Sequence, residues 1–573
     1  MKLSKYLVGT LACALMAACS NEENPAVDNG TQGQEGSSYM AVNLVFSTGS
    51  GSRAVTGDSF DNGTEAEGAV SVANSVFLFY DANGNYLTKG NLVASDTDVD
   101  NDKDGYLDLQ PQTDGGNVES KSNAVIVLGP TTSQPTQMLA VLNGGSSVLT
   151  GMSLSAAMEA VTNSGIGSDK GSFIMTNSAY VEDGSIVTAT NIAGKAKEVG
   201  DGGDAAAITA AKADPVEIYV ERVAAKLTVK ESVSEKELSG DGYVLDNATG
   251  AAMKVVIDGW CANATNESSY YVKNLNDSWI GTAPFTNWTG THRTFWAEDM
   301  NYTGGGDYPD GATYTGLQYK KWTEATKKSN DVEYIFENTI NNDDAQVEGG
   351  DNTNVTTVLV AAHIMYKTSG DEKYQQGNIY RHNGVFYTEK GLKDVIVAGC
   401  DYYWFYTKDG NKTWTALKAD DVTFSFSNPA SAINPGEVTV DVTAITKPTI
   451  AGVTDIVLVK GEGTESKTDA TTEAIAALKG SIYTQNLMGY KNGACYYQIP
   501  IEHLSSAAGN EFYGVVRNHS YVLTISDITG IGGAVYDPDK VLPPIPGKDK
   551  NYYMAAKLNV LAWKVVEQSA VLN

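Results

Sequence analysis

SYMAVNLVFS, residues 38–47, alternates in apolar character with a period of two. Met40, Val42, Leu44 and Phe46 fall on one face and Ala41, Asn43 and Val45 on the other, the pattern of a β-strand with one strongly apolar side. Directly after it the chain enters STGSGSRAVTGD, residues 47–58, a Gly/Ser hinge that holds Arg53. Arg53 is the first of only five arginines (53, 222, 293, 381 and 517). Of the others, Arg222, Arg293 and Arg517 stand in or beside apolar, strand-like segments, whereas Arg53 stands in a segment open to a protease.

Composition extends the β reading to the whole chain. The 573 residues are enough for about two to four domains with full cores. With 58 Gly and 31 Tyr, many Asn, Thr, Ser and Asp, and only 15 Pro, they suit a turn-rich all-β protein. The 69 acidic against 40 basic residues give a net charge of −29, which argues against nucleic acid or an anionic membrane as a partner.

The amino terminus, MKLSKYLVGTLACALMAAC, carries Lys2 and Lys5 before an apolar run from Tyr6 to Ala18 that is too short for a permanent membrane span. Residues 1–18 read as a signal peptide, and 19–38 as a polar tether. Cys13 would leave with the signal, so Cys19 is followed only by Cys261, Cys400 and Cys495, widely spaced and without a CxxC. These three read as buried small hydrophobes rather than a disulfide framework.

Beyond the hinge, NSVFLFYDANGNYLTKG (74–90) reads as a hairpin with a two-residue turn at Asn83-Gly84. Residues 153–165 read as a helix ending at Gly165. A Gly, Ala and Asp-rich stretch closes a first unit, 54–215, and DPVEIYVERVAAKLTVK opens a second, 216–535, with one long alternating strand. A helix is expected at Thr471 to Lys479. Residues 536–573 then form a proline-rich spacer and an isolated strand, with Leu558, Val560 and Ala562 on one face and Leu561, Trp563 and Val565 on the other. A lone apolar strand at a chain end needs a partner, in its own domain or in another chain.

Catalytic patterns are weak. The five histidines (292, 363, 382, 503 and 519) are scattered, with no HExxH and no phosphate loop, so no enzyme is expected. Asp100, Asp102, Asp104 and Asp108 follow a D-x-D-x-D-G spacing that suits Ca2+, but position twelve is Pro111 instead of a bidentate Glu. A calcium loop and a solvated acidic loop both remain open, and no other cofactor is expected. Trp279, Trp288, Trp296, Trp322 and Trp404 offer a different class of function, a monomeric surface lipoprotein that stacks glycans on its aromatic loops.

Several of these segments, taken together and in order, carry a family resemblance. LMAAC (15–19) resembles a bacterial lipobox, and the acidic SNEEN after it resembles an outer-surface sorting tag. With the strand and its Gly/Ser-Arg hinge, YVERVAAKLTVK, RNHSYVLTISDITGIG and NVLAWKVVEQSAVLN, the chain resembles the fimbrillin family of type V pilins, nearest to the shaft subunits of Mfa-type minor fimbriae. The resemblance implies two transthyretin-like β-sandwich domains, lipid on Cys19, and a cut between Arg53 and Ala54 that removes the strand of Met40, Val42, Leu44 and Phe46. It implies that a neighbouring subunit then donates its terminal strand, about 556–566, with Leu558, Val560, Leu561, Trp563 and Val565. The implied partners are copies of the same chain, accessory tip and anchor pilins, and bacterial or host receptors. The implied location is the outer membrane for the precursor, held only by its transient lipid, and an extracellular fimbrium for the mature subunit, serving adhesion and biofilm formation.

Overall fold

The computed structural model describes residues 37–47, 71–92, 107–108, 110–111, 118–167, 173–182, 185–238, 241–246, 251–275, 292–293, 297–300, 317–339, 355–430, 432, 434–504, 512–544, 554–561 and 564–572. Strands dominate, with four short α-helices among the described residues.

The first sheet contains β1 (Ser38–Ser47), β2 (Ser75–Tyr80), β3 (Tyr86–Leu92), β4 (Val118–Leu128), β5 (Gln137–Leu142), β6 (Met175–Asn177), β7 (Lys197–Glu198) and β8 (Val216–Arg222). Pairing runs β1-β8-β6-β5-β2-β3-β4 and returns to β1, so the ladder closes on itself. From the sequence a two-sheet sandwich is expected here. The ladder instead forms one closed ring, because β1 is hydrogen-bonded along both edges. Met40, Val42, Leu44, Phe77, Phe79, Ile126, Met138, Met175, Ile218 and Val220 fill its interior.

The β2–β3 hairpin is present, but its loop runs over 81–85 rather than two residues. Asp81 Oδ1 accepts the backbone N–H groups of Asn83 and Asn85 at 2.8 and 2.9 Å, and Gly84 takes the positive φ of 76° that the turn requires. The helix expected over 153–165 is only α1 (Leu154–Met158), capped by Ser153. Val161–Thr162 leaves the helix to pair with Ser269–Tyr270, so β-branched residues with a strand partner override the local pattern.

The long strand expected to open a second unit at 216 is two strands in different sheets. After β8, Val223 separates it from β9 (Ala224–Glu231). The second group further comprises β10 (Glu235–Leu238), β11 (Ala252–Asn263), β12 (Val332–Phe336) and β13 (Thr357–Lys367). A third group follows in β14 (Ile379–His382), β15 (Val385–Thr388), β16 (Tyr402–Lys408), β17 (Asn411–Ala416), β18 (Val422–Ser427), β19 (Glu437–Ile445), β20 (Ile456–Lys460) and β21 (Leu487–Tyr490). The chain then returns to the second group with β22 (Ala494–Pro500), β23 (His519–Ile528), β24 (Gly533–Ala534), β25 (Met554–Leu561) and β26 (Lys564–Leu572).

In the second group, the sheet β12-β9-β23-β25-β26 and the sheet β10-β11-β13-β22-β24 both contribute to one core, with Leu227, Val229, Trp260, Val360, Tyr497, Tyr521 and Leu523. The third group has its own core, in which Tyr380, Trp404, Val442 and Leu458 pack with α3 (Glu389–Ala398) and α4 (Thr471–Lys479). Residues 216–535 therefore hold one strand of the first sheet, β8, and two hydrophobic cores, where one sandwich is expected from the sequence. Local periodicity finds strands but carries no information about which sheet receives them.

Candidate functional site

β1 is the first described strand, yet it occupies an interior position. Its register with β4 is antiparallel, from Ser38 opposite Leu128 to Phe46 opposite Ser120. On its other edge β8 runs parallel, from Val42 opposite Val216 to Phe46 opposite Val220, and β7 pairs with Ser38 and Tyr39. Met40, Val42 and Leu44 are 0% exposed and point into the ring. The opposite face is covered too: Tyr39 and Ala41 pack with Val125 under Ala207 and Ala211 of α2 (Gly203–Lys212). Burial, together with the carboxylate of Asp204 on α2, pushes the Tyr39 phenol above its ordinary pKa. The segment β7-α2-β8 thus forms a clasp around one strand.

Taking β1 away would leave a slot walled by β4 on one side and by β7 and β8 on the other. The hinge that follows, with Arg53 and Ala54, lies outside the described residues, as does Cys19. Two of the other arginines are sealed from a protease: Arg222 is 1% and Arg517 0% exposed.

Those two arginines form part of a buried polar junction that sequence reasoning missed. Arg222 Nη1 donates to Asn518 Oδ1 at 3.1 Å. Arg517 Nε donates to Glu337 Oε2 at 2.9 Å, and its Nη2 reaches Ser269 Oγ and the Tyr270 carbonyl at 3.0 and 2.9 Å. Lys273 and Glu221, each 1% exposed, pair at 2.6 Å. The network ties β8 to the residues that lead into β23. The available signal is an arginine inside a strand-like segment, next to a valine, in each of YVERVAAKL and VVRNHSYVL.

The terminal segment differs from the isolated single strand expected. β25 pairs antiparallel with β23, from Ser520 opposite Leu561 to Thr524 opposite Lys557. β26 turns back along β25, with Val560 opposite Val565, and also pairs parallel with β23 from Ile525 opposite Ala570 to Ile528 opposite Leu572. Leu558, Val560 and Leu561 are thus on one strand and Val565 on the next, while Trp563 lies outside the described residues. The tail is paired in its own chain because β23 otherwise presents an open edge. The proline-rich spacer also begins later than 536. Leu542 is 1% exposed and takes a hydrogen bond from Asn263 Nδ2 at 2.6 Å, and Gln498 Nε2 donates to the Pro543 carbonyl at 2.8 Å.

Asp100, Asp102 and Asp104 lie outside the described residues; Asp108 pairs with Ser71 in a two-residue ladder. Among the tryptophans, Trp404 is 2% exposed and donates to Asp421 Oδ2 at 2.9 Å, so it packs the core and offers no stacking face. Trp322 donates to the Cys495 carbonyl at 2.8 Å and is half-buried. Trp279, Trp288 and Trp296 lie outside the described residues.

Residues 488–569 match the family model for the C-terminal region of the major fimbrial subunit protein type IV, fimbrillin. Over this stretch the chain is similar to the fimbrillin family. The matched fimbrillin region takes in β22, β23 and β25, so it covers the strand that carries the tail and the tail itself. It supports a fimbrial subunit role, structural and non-enzymatic, at the cell surface. No curated protein matches this sequence.

Among solved structures, one similar chain is provisionally described as a cell adhesion protein of Parabacteroides distasonis ATCC 8503, at 12% identity and TM-score 0.32, over 88% of this chain and 92% of that one. A fimbrial assembly protein of the same organism matches at 12% identity and TM-score 0.27, over 71% and 99%. The tip fimbrial protein Mfa3 of Porphyromonas gingivalis, with C-terminal truncation, matches at 11% identity and TM-score 0.28, over 88% and 97%. Likenesses this low carry no argument about the fold.

Proposed function

We propose that this protein is a shaft subunit of a surface fimbrium, exported as a lipoprotein on Cys19, cut after Arg53 and polymerised by donor-strand exchange. The observation that carries the reading is the position of β1. A strand at the start of the chain closes the first ladder along both edges, and the Arg53 hinge follows it directly.

While attached, β1 competes for its own slot at an effective concentration of about millimolar or above, which a free strand at micromolar levels cannot match. Cutting removes that advantage. A replacement strand gains ladder hydrogen bonds at about 0.5 to 1.5 kcal/mol net each. Each apolar side chain it buries in the positions of Met40, Val42 and Leu44 adds about 1.5 to 3 kcal/mol. The tail of another copy must leave β23 before it can enter, so exchange trades one set of ladder bonds for another and gains the buried side chains. The joint is strand addition used structurally. The polymer would work with tip and anchor pilins and display its loops for adhesion and biofilm formation.

The test is limited digestion with an arginine-specific protease. The expected result is a new amino terminus at Ala54 and a ladder of multimers on denaturing gels run without boiling, absent in Arg53→Ala and on deletion of 551–573. A fully cleaved protein that stays monomeric overturns the reading.

A further inference from the structure

Asn43 is the one polar residue between apolar neighbours in the middle of β1. It stands directly across from Asn123 on β4 and Glu217 on β8, both exposed, and is itself half-buried. The outer face of β1 therefore changes character along its length, with Tyr39 and Ala41 sealed beneath α2 and Asn43 in a polar row. On the inner face Val42 and Leu44, the residues either side of Asn43, are 0% exposed.

The tail repeats this arrangement once. In the last 23 residues, 551–573, asparagine occurs at 551, 559 and 573, and only Asn559 has a large aliphatic residue on each side, Leu558 and Val560. Val42-Asn43-Leu44-Val45 and Leu558-Asn559-Val560-Leu561 share one pattern. It holds whichever way the tail runs, because the aliphatic residues flank the asparagine symmetrically.

We infer that Asn559 of a second copy takes the place of Asn43, opposite Asn123, with Leu558 and Val560 filling the positions of Val42 and Leu44. Asn559 is then the residue that fixes the register of the joint. A slip by one residue would turn the asparagine amide into the ring interior and both aliphatic neighbours outward. A slip by two would bring Lys557 or Leu561 opposite Asn123 and put Ala556 or Ala562 into one of the two inner positions, leaving a cavity. The register is thus set by a single polar position in an apolar strand, as a buried asparagine sets register elsewhere. This inference rests on the strand-exchange reading.

Disulfide trapping tests it. The full chain carries Asn123→Cys and Asn559→Cys in a Cys400→Ser background, Cys261 and Cys495 being buried. Cleavage after Arg53 also removes Cys13 and Cys19. Facing residues on neighbouring strands lie about 4.5 to 5.5 Å apart, within disulfide range. After cleavage and mild oxidation, multimers that survive boiling without reductant are expected. Pairing Asn123→Cys with Lys557→Cys or Leu561→Cys displaces the thiol by about 6 to 7 Å along the strand, and several-fold less trapping is expected. If heat-labile multimers form in every variant but trap at 557 or 561 and not at 559, the register is wrong while strand exchange stands. If no multimer forms, register and strand exchange fall together.

Discussion

Arg222 Nη1 and Asn518 Oδ1 lie 3.1 Å apart, so a side chain at the end of β8, which borders the β1 slot, holds the residue just before β23, which carries the tail. Both residues are buried, and Asn518 also accepts the backbone N–H of Arg222 at 3.2 Å. The slot and the tail therefore sit on strands whose ends are joined through the Asn518 side chain.

Asn518 has a φ of 57°, a conformation that glycine and asparagine tolerate. Asn518→Gly keeps the backbone and removes only the amide, so it isolates the side-chain contribution. Leaving the buried Arg222 group without this acceptor should lower stability by about 1 to 3 kcal/mol. Asn518→Ala should cost about 1 kcal/mol more, from the strained φ. Urea denaturation of the three proteins checks the order wild type, glycine, alanine.

Glu337 and Arg517 form a buried pair with 1% and 0% side-chain exposure. Glu337→Ala removes one partner and strands a guanidinium away from water. The expected loss is about 3 to 5 kcal/mol, read by chemical denaturation. A loss below 1 kcal/mol would mean that water reaches Arg517.

Glu333 on β12 accepts the Ala262 backbone N–H at 2.9 Å, yet burial raises its pKa against the opposing pull of that bond and of Lys327 and Lys320. The folded state thus holds the proton more tightly than the unfolded state. Below the unfolded value both states are protonated and the raised pKa changes nothing. As pH climbs past it the unfolded chain ionises first, so stability falls until the folded group ionises as well. Glu333→Gln keeps an acceptor for Ala262 without the charge. It should be more stable than wild type at pH 7, with the gap closing below the ordinary glutamate range. Thermal melts of both proteins between pH 4 and 7 test the sign.

The amphipathic strand at 38–47 is legible because Met40, Val42 and Leu44 repeat at the period of a strand. Its place in the sheet is not, since its partners β4 and β8 are remote in sequence and their pairing is a tertiary event. The split at Val223 leaves a trace in the sequence: the apolar positions of VEIYVERVAAKLTVK run Val216, Ile218, Val220 and then change phase to Val223, Ala225, Leu227, and at that change Arg222 is held by Asn518 and the two halves join different ladders. The apolar character of 554–572 is legible as well. Its fold into two strands on β23 depends on an open edge that local pattern does not report. The burial of Trp404 is hidden from the sequence for a related reason, since an aromatic-rich hairpin reads alike whether its alternate residues face water or α3 and α4.

Leu44→Ala separates the role of β1 before and after cleavage. Leu44 is 0% exposed inside the ring, so truncation leaves a cavity, and the uncut chain should lose about 2 to 5 kcal/mol of stability. If β1 departs when the polymer forms, position 44 is no longer part of the assembled subunit. Polymers grown from cleaved wild type and cleaved Leu44→Ala should then unfold at the same denaturant concentration, although their precursors do not. The weakened precursor should also exchange its strand faster, because the mutation lowers the stability of the state that must be left. Denaturation midpoints of precursor and polymer, with the rate of multimer growth after cleavage, read all three expectations. A polymer destabilised as much as its precursor would show that β1 remains in its slot.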